Sequence, residues 1–544
     1  MSRSRDFFFA MQTGKFADTY VSYHPGVTTC WLGSIAISEK YHPDAFSESW
    51  FDSDAFLSPE MLARVRLPIA VMTGILVLLA GFLLYWLFRD WMIAGLGILF
   101  LAVEPFLLAE SRRARTDALT ALFLFLSLLL WLYYLESETS RCRHIILSGI
   151  CFALACLTKS LAVGFLFFLP LLLSWYFKQR GISWEKLILS VVLWLMSTLL
   201  IVLVTWPYMW IILLNPWNLP MFPLLFIGAG ALFIWSCRRL STDMPATFTQ
   251  TELIFLGCGL LIIVASTFSA LEPVIRELFA AARNANEIPT LFLGKIRSNP
   301  GVLYFPVMWF VWSTPLALPL IGTAIYRAWQ QRDHGKKTFR VVVVLGFFAL
   351  FYLIGLSLAA KKISRYIVIF LPVVSLLTTL GTVEMARLFK KKQARFIFII
   401  AVVLLQIIPI LRLHPYYRTY YYPLLSGKWV AANTSSITGA GLDLAADYLN
   451  ALPNAQDLHI QLKSLFTHEL AYYFVGHVTR TTETSDKFDY VVEHLCGKQI
   501  QRTPPKTSTQ PSKQQSTQQL SRELEHVVRL NGIDYVWIYR MKSY

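Results

Sequence analysis

The chain has 544 residues, of which 56% are hydrophobic and only 15% charged, with a mean hydropathy of +0.51 and a formal net charge of +16. A soluble protein of this length would expose far more charge, so the composition excludes that class and indicates a polytopic membrane protein. The positive balance does not indicate nucleic acid, because its clusters recur between apolar segments and form no basic surface interleaved with aromatic residues.

Residues 1–64 read as an extracytoplasmic N-terminal segment. Its expected parts are a partly helical stretch over 3–23, a turn at Tyr23-His24-Pro25-Gly26, a short apolar piece over 27–37, and a set of acids including Asp44, Glu48, Asp52, Asp54 and Glu60. The segment has no signal peptide and no apolar stretch long enough to carry it across a membrane. A first helix is therefore expected upstream of Met1; a re-entrant piece at 27–37 with a translocated tail is the alternative.

Residues 65–413 read as a transmembrane bundle. A helix needs about 20 apolar residues to cross the hydrocarbon core. The expected spans are 65–88, 91–109, 116–135, 145–157, 161–177, 187–213, 219–237, 251–271, 303–328, 340–360, 364–386 and 395–413. That makes 12 helices in this chain and about 13 in a protein with the upstream helix. The segments 145–157 and 161–177 are short, and are expected to be tilted, broken or sheltered inside the bundle. A longer outer loop is expected over 272–302.

Residues 414–544 read as a small soluble α/β domain. It opens on an aromatic cluster, Pro415-Tyr416-Tyr417 through Tyr420-Tyr421-Tyr422, suited to a membrane interface. A helix is expected over 442–452, strands over 458–462, 488–492 and 534–539, a flexible Gln/Ser/Thr/Pro/Lys-rich insertion over 501–520, and a helix over 521–530. The chain has seven cysteines and only Cys496 falls in this domain, so no disulfide is expected there. No Cys/His spacing suggests a zinc site.

The charges sort by side once the spans are laid across a bilayer. Lys178/Arg180, Arg238-Arg239, Arg332/Lys336/Lys337/Arg340 and Arg387/Lys390/Lys391/Lys392/Arg395 occupy alternate connections, the pattern that places them in the cytoplasm. The other connections carry the chemically useful groups. The turn at His24 reads either as a cap or as a donor to an anion. Ser111-Arg112-Arg113-Ala114-Arg115-Thr116-Asp117 puts several cations on the face the topology rule disfavours, so they need a partner, and arginine binds phosphate through its forked donors. Thr116 or Asp117 also suits a helix cap. Leu157-Thr158-Lys159-Ser160 holds a lone lysine between two short spans, able to snorkel or to bind an anion. Lys361-Lys362-Ile363-Ser364-Arg365-Tyr366 is again basic on the outer face. Trp206-Pro207 and Trp210 read as interfacial belt residues. Three basic clusters on one outer face imply a site for a phosphorylated lipid, its phosphate at the surface and its tail in the bilayer.

In order along the chain, these pieces resemble the GT-C glycosyltransferases of the glycosyltransferase family 39 kind, which include protein O-mannosyltransferases and the lipid A aminoarabinose transferase. The resembling residues are Arg3-Ser4 and Phe7, His24-Pro25-Gly26-Val27, Pro105-Phe106, Ser111-Arg112, Asp117-Ala118-Leu119, Leu157-Thr158-Lys159-Ser160, Trp206-Pro207 and Lys361/Arg365-Tyr366. In the tail they are Asp489-Tyr490-Val491-Val492, Gln501-Arg502, His526-Val527-Val528-Arg529 and Asn531-Gly532-Ile533-Asp534-Tyr535. The resemblance implies the GT-C fold, a polyprenyl-phosphate-linked sugar as donor, a protein or glycolipid acceptor, and an inverting extracytoplasmic reaction in the cell membrane. It also implies that Lys159 and Arg365, with Lys361 and Arg112, hold the donor phosphate. Asp117 would support catalysis by orienting a substrate or helping to hold a divalent metal, a need the sequence leaves open, and His24 would line the first loop. The family's presumed base, an Asp-Glu pair after the first helix, would lie upstream of Met1, and a chain without it would be inactive. Two other readings compete: a transporter or flippase of a lipid-linked or anionic solute, for which internal repeats would be expected, and a non-catalytic scaffold.

Overall fold

The computed structural model describes residues 2–20, 25–38, 59–138, 141–214, 221–241, 248–259, 290–332, 336–435, 438–464, 467–480, 488–501 and 522–542. His24, the acids between Asp44 and Asp54, residues 260–271 of the eighth expected span, most of the 272–302 loop and nearly all of the 501–520 insertion lie outside those residues.

Among the described residues seven helices are long and apolar enough to cross a membrane, or up to nine if each of two bent pairs counts as one span. The multi-pass helical class expected from composition is what the structure has, but several spans differ in shape from the straight segments expected. The segment 91–109 is two helices, Trp91–Ala102 and Pro105–Ser111, bent by 61°. Pro105 has no N–H to continue the first helix, and the Glu104 carboxylate caps the second by accepting from the Leu107 N–H. The segment 303–328 is likewise Tyr304–Trp312 and Ala317–Gln330, turned by 105° at Ser313-Thr314-Pro315. The segment 187–213 ends at Thr205, where Trp206-Pro207 interrupts it before the short helix Tyr208–Leu214. At the N-terminus, Ser2–Gln12 and Val27–Ser38 are helical, and the first long helix starts at Pro59 rather than near residue 65.

One helix organises the bundle. Asp117–Glu136 is buried at every one of its 20 residues. It is apolar on all sides between its two terminal carboxylates, as a helix enclosed by other helices must be. Lipid tails are as apolar as leucine, so helices in a bilayer associate through close packing and hydrogen bonds. Both are present. Gly149, on Cys142–Thr158, lies so near Trp184–Thr205 that a β-carbon there would sit 2.6 Å from the Trp194 carbonyl oxygen. Ser127 and Ser148 hydrogen-bond at 2.9 Å, the Trp194 indole donates to Ser148 at 3.2 Å, and Tyr134 bonds Ser190 at 2.8 Å.

The ends of this helix are about 30 Å apart at 1.5 Å per residue, so its terminal carboxylates mark the two faces of the bundle. At one face Glu136 accepts from the Arg340 guanidinium at 2.6 and 2.8 Å and from the Tyr176 hydroxyl at 2.8 Å, with Arg180 at 3.9 Å. At the other lies Asp117. The cations read as cytoplasmic, Arg180 and Arg340, thus sit a full membrane thickness from Asp117.

The tail packs on the Asp117 face. Ahead of the ninth expected span, β1 (Thr290–Phe292) and β2 (Lys295–Arg297) pair antiparallel. The sheet of the tail joins β3 (His459–Lys463), β4 (His477–Arg480), β5 (Tyr490–His494), β6 (Arg522–Leu530) and β7 (Ile533–Met541) in the order β4-β3-β5-β7-β6, with β3 parallel to both β4 and β5. β7 runs antiparallel to β5 and to β6. The three expected strands are present, as is the helix, at Leu442–Asn450. The expected helix over 521–530 is instead strand β6. Asn531 and Gly532 both take positive φ (52° and 72°), the conformation of a two-residue hairpin turn, which folds β6 back onto β7. A short helix on its own is marginal, and the hairpin hydrogen bonds win.

His494, at the end of β5, is fully buried, with its two ring nitrogens facing the Cys496 N–H and the Ala440 carbonyl. Burial disfavours the charged imidazolium and brings its pKa down to about 4, below the unfolded value of about 6.5. Because the unfolded state binds the proton more readily, His494 contributes stability that is complete above pH 6.5 and lost as pH falls toward 4. The melting temperature of His494→Phe, measured in detergent, should lie below that of the parent protein at neutral pH, and the gap should narrow from pH 6.5 to pH 4; a constant gap would contradict the assignment.

Candidate functional site

Asp117 is the first residue of the central helix and is 6% exposed. Its carboxylate sits in the positive end of the helix dipole, and the Thr116 side chain makes no capping hydrogen bond. Lys159 reaches Asp117 from the helix Cys142–Thr158. The residues Lys159-Ser160 end that helix: Lys159 is extended (φ −158°, ψ 133°), and a tight turn, Ser160–Gly164, precedes the next helix, Phe165–Arg180. The break turns Lys159 inward, where it is 2% exposed, hydrogen-bonds Asp117 Oδ1, and lies 4.1 Å from the centroid of the Tyr366 ring.

Arg365 arrives by the same kind of construction. The helix Lys337–Leu358 stops, an irregular stretch follows, and a 3-10 turn over Ser364–Phe370 leads into Leu371–Arg387. Arg365 Nε lies 3.6 Å from Asp117 Oδ2. Two broken helices thus deliver two cations to one buried carboxylate, leaving a formal charge of +1. The Arg365 side chain keeps 29% of its surface exposed, so the excess charge is accessible. Arg365 Nε, Arg115 Nη1 and Arg113 Nη1 are buried atoms with no hydrogen-bond partner among the described residues. Donors of this kind are costly to leave unmatched, and an anion is their natural acceptor.

The other sequence-derived residues separate. Lys361 lies in the same junction as Arg365 and is half-buried. Its neighbour Lys362 is the one that turns inward, donating to the Leu356 and Ser357 carbonyls at 3.2 and 2.5 Å and closing the end of the preceding helix. Arg112 does not join Asp117. It donates to the Pro415 carbonyl at 2.7 Å, lies over the Tyr417 ring, and lines a separate cavity of about 220 Å³ between bundle and tail. Trp206 is buried at 3% exposure rather than lying at a lipid interface. Among the described residues no three His, Cys, Asp or Glu side chains gather as a metal would require.

Sequence reasoning missed a second ion pair at the same face. Glu110, fully buried on Pro105–Ser111, pairs with Arg418 at 2.7 Å, and Arg418 also lies over the Phe106 ring. Arg113 lies 3.7 Å from Glu469 of the tail. Glu110 was the available signal, since an acid inside an apolar stretch demands a partner. Arg418 was hidden in the aromatic cluster.

The family model for dolichyl-phosphate-mannose-protein mannosyltransferase matches residues 34–226, which include Arg112, Asp117 and Lys159. Over that stretch the match bears out the resemblance to GT-C glycosyltransferases. No curated protein matches the sequence. Among solved structures, ArnT from Cupriavidus metallidurans bound to undecaprenyl phosphate is similar over 98% of this chain and 92% of its own, at 11% identity and a TM-score of 0.44. The oligosaccharyltransferase AglB from Archaeoglobus fulgidus, in complex with an inhibitory peptide and a dolichol-phosphate, is similar over 87% of this chain and 62% of its own, at 14% identity and a TM-score of 0.42.

Removing one member of a buried ion pair strands the other, at a cost of about 3–5 kcal/mol. Asp117→Asn should therefore lower thermal stability in detergent, and Asp117→Asn combined with Lys159→Met should recover part of the loss. Strictly additive losses would mean that the two side chains are not coupled.

Proposed function

We propose that the protein is a membrane glycosyltransferase that moves a sugar from a polyprenyl-phosphate donor to an extracytoplasmic acceptor. The observation that carries this reading is the convergence of Lys159 and Arg365 on Asp117, with guanidinium donors beside them left unmatched among the described residues. The family match over residues 34–226 supports it.

In this reading the donor phosphate docks against Arg365 and Lys159, its prenyl chain in the bilayer. The acceptor oxygen attacks the anomeric carbon from the face opposite the phosphate. The bond from that carbon to the phosphate oxygen breaks, polyprenyl phosphate departs with the electron pair, and the acceptor proton passes to a base. The two cations stabilise the charge that grows on the leaving phosphate, so that group needs no strong acid. Asp117, already bound to two cations, holds them in place and is a poor base for the acceptor. Arg112 assists from the neighbouring cavity, and Lys361 from the rim. The acceptor is a protein hydroxyl or a glycolipid. The basic cluster at the Glu136 face supports a cytoplasmic placement of that face, with the site and the tail domain on the outer side of the cell membrane.

Removing a preorganised charge-stabilising donor typically lowers turnover by about 10²–10³. Lys159→Ala and Arg365→Ala should each lose at least that much, read as polyprenyl phosphate released from labelled polyprenyl-phosphate sugar in membranes where the variant inserts normally. Full activity in either variant would remove the donor-site assignment.

A further inference from the structure

A second cavity, of about 520 Å³, opens where the last spanning helix, Lys392–Leu413, meets the tail. Its wall is apolar, from Ile408, Leu413, Tyr420, Tyr421 and Leu425, and it carries two cations, Arg412 and Lys428. No carboxylate lines it, and neither cation has an ion-pair partner among the described residues.

Its surroundings identify the solvent it faces. The helix Lys392–Leu413 is the least enclosed of the spanning helices among the described residues, 22% buried over its apolar window, and Leu411 beside the cavity is 71% exposed. An apolar flank of that kind belongs against lipid. On the tail side Leu424 is 84% exposed, and Trp429, next to Lys428 in the chain, is 52% exposed. A tryptophan, a leucine and two cations where the end of a spanning helix meets the tail match the depth at which headgroups lie. The two cations also sit at the face bearing Asp117, where the topology rule disfavours positive charge, so a topological role does not account for them.

We propose that this cavity is a binding site for the headgroup of an anionic phospholipid, whose phosphate is held by Arg412 and Lys428 and whose acyl chains lie along Ile408 and Leu411. The occupant is a lipid rather than a soluble phosphate because the apolar wall is continuous with the lipid-facing flank of the helix. The site fastens the tail domain to the bilayer surface at the hairpin turn Asn531-Gly532, which also lines it. It uses none of the residues assigned to the donor, so it stands or falls independently of the transferase reading.

The test is native mass spectrometry of the full chain released from nanodiscs containing equal phosphatidylglycerol and phosphatidylcholine. The parent protein should retain phosphatidylglycerol preferentially, and Arg412→Gln with Lys428→Gln should weaken that retention about thirty-fold, or about 2 kcal/mol. Lys428→Gln alone, on the exposed first turn of the helix Gly427–Asn433, should give a partial loss and covers the case of a misfolded double variant. Equal retention of the two lipids by the parent protein, or an unchanged preference in the variants, would overturn the proposal. So would displacement of phosphatidylglycerol by added polyprenyl phosphate, which would make the cavity part of the donor path.

Discussion

A charge inside a bilayer is tolerated only with a partner, and the architecture of this protein follows from where its buried carboxylates find theirs. The central helix has an acid at each end and only uncharged residues between. Glu136 is claimed by Arg340, Arg180 and Tyr176. Asp117 is claimed by Lys159 and Arg365. The two sets lie on opposite faces, and they differ in kind. Glu136 takes short bonds from a guanidinium that reaches it with two nitrogens, which is what a structural lock looks like. Around Asp117 the nearest arginine atom stands 3.6 Å away, and Arg365 Nε and Arg115 Nη1 have no acceptor among the described residues. The Glu136 carboxylate is saturated, whereas unmatched donors among the described residues leave the surroundings of Asp117 unsaturated.

The unsaturated face is made by interrupting helices. An intact helix satisfies its own backbone and presents side chains only outward, whereas a break at membrane depth frees the chain to aim a side chain into a protein-lined space. Lys159 and Arg365 both sit at such breaks. The bent pairs at Glu104-Pro105 and Ser313-Thr314-Pro315 belong to the same pattern and lie against the same end, where Tyr420 donates to the Ser313 carbonyl and ties the tail to the bundle. The tail is therefore attached at the Asp117 face, through Glu469 with Arg113, Pro415 with Arg112, and Arg418 with Glu110.

Much of this was legible in the sequence. Apolar runs located up to nine of the twelve expected spans among the described residues, and the alternation of lysine and arginine between them put Lys159, Arg365 and Asp117 on one face. What the sequence hid has physical causes. Periodicity cannot show a bend, so 91–109 and 303–328 read as straight. Hydropathy sees Trp206 as an interfacial residue, while packing buries it. Arg112 and Lys361 looked equivalent to Arg365 because sequence places them on the right face without saying which way each side chain turns. Residues 521–530 read as a helix from local composition, and the decision lay in two residues beyond, the Asn-Gly turn. Arg418 and Glu110, distant in sequence, became a pair only through the fold.

The most direct measurement of the central claim is a cryo-electron-microscopy map of the full chain in nanodiscs with added polyprenyl phosphate. Phosphate density is expected within hydrogen-bonding reach of both Lys159 Nζ and the Arg365 guanidinium, with the prenyl chain running into the bilayer. Density for the phosphate at another place, with Lys159 and Arg365 closed on Asp117 alone, would contradict it.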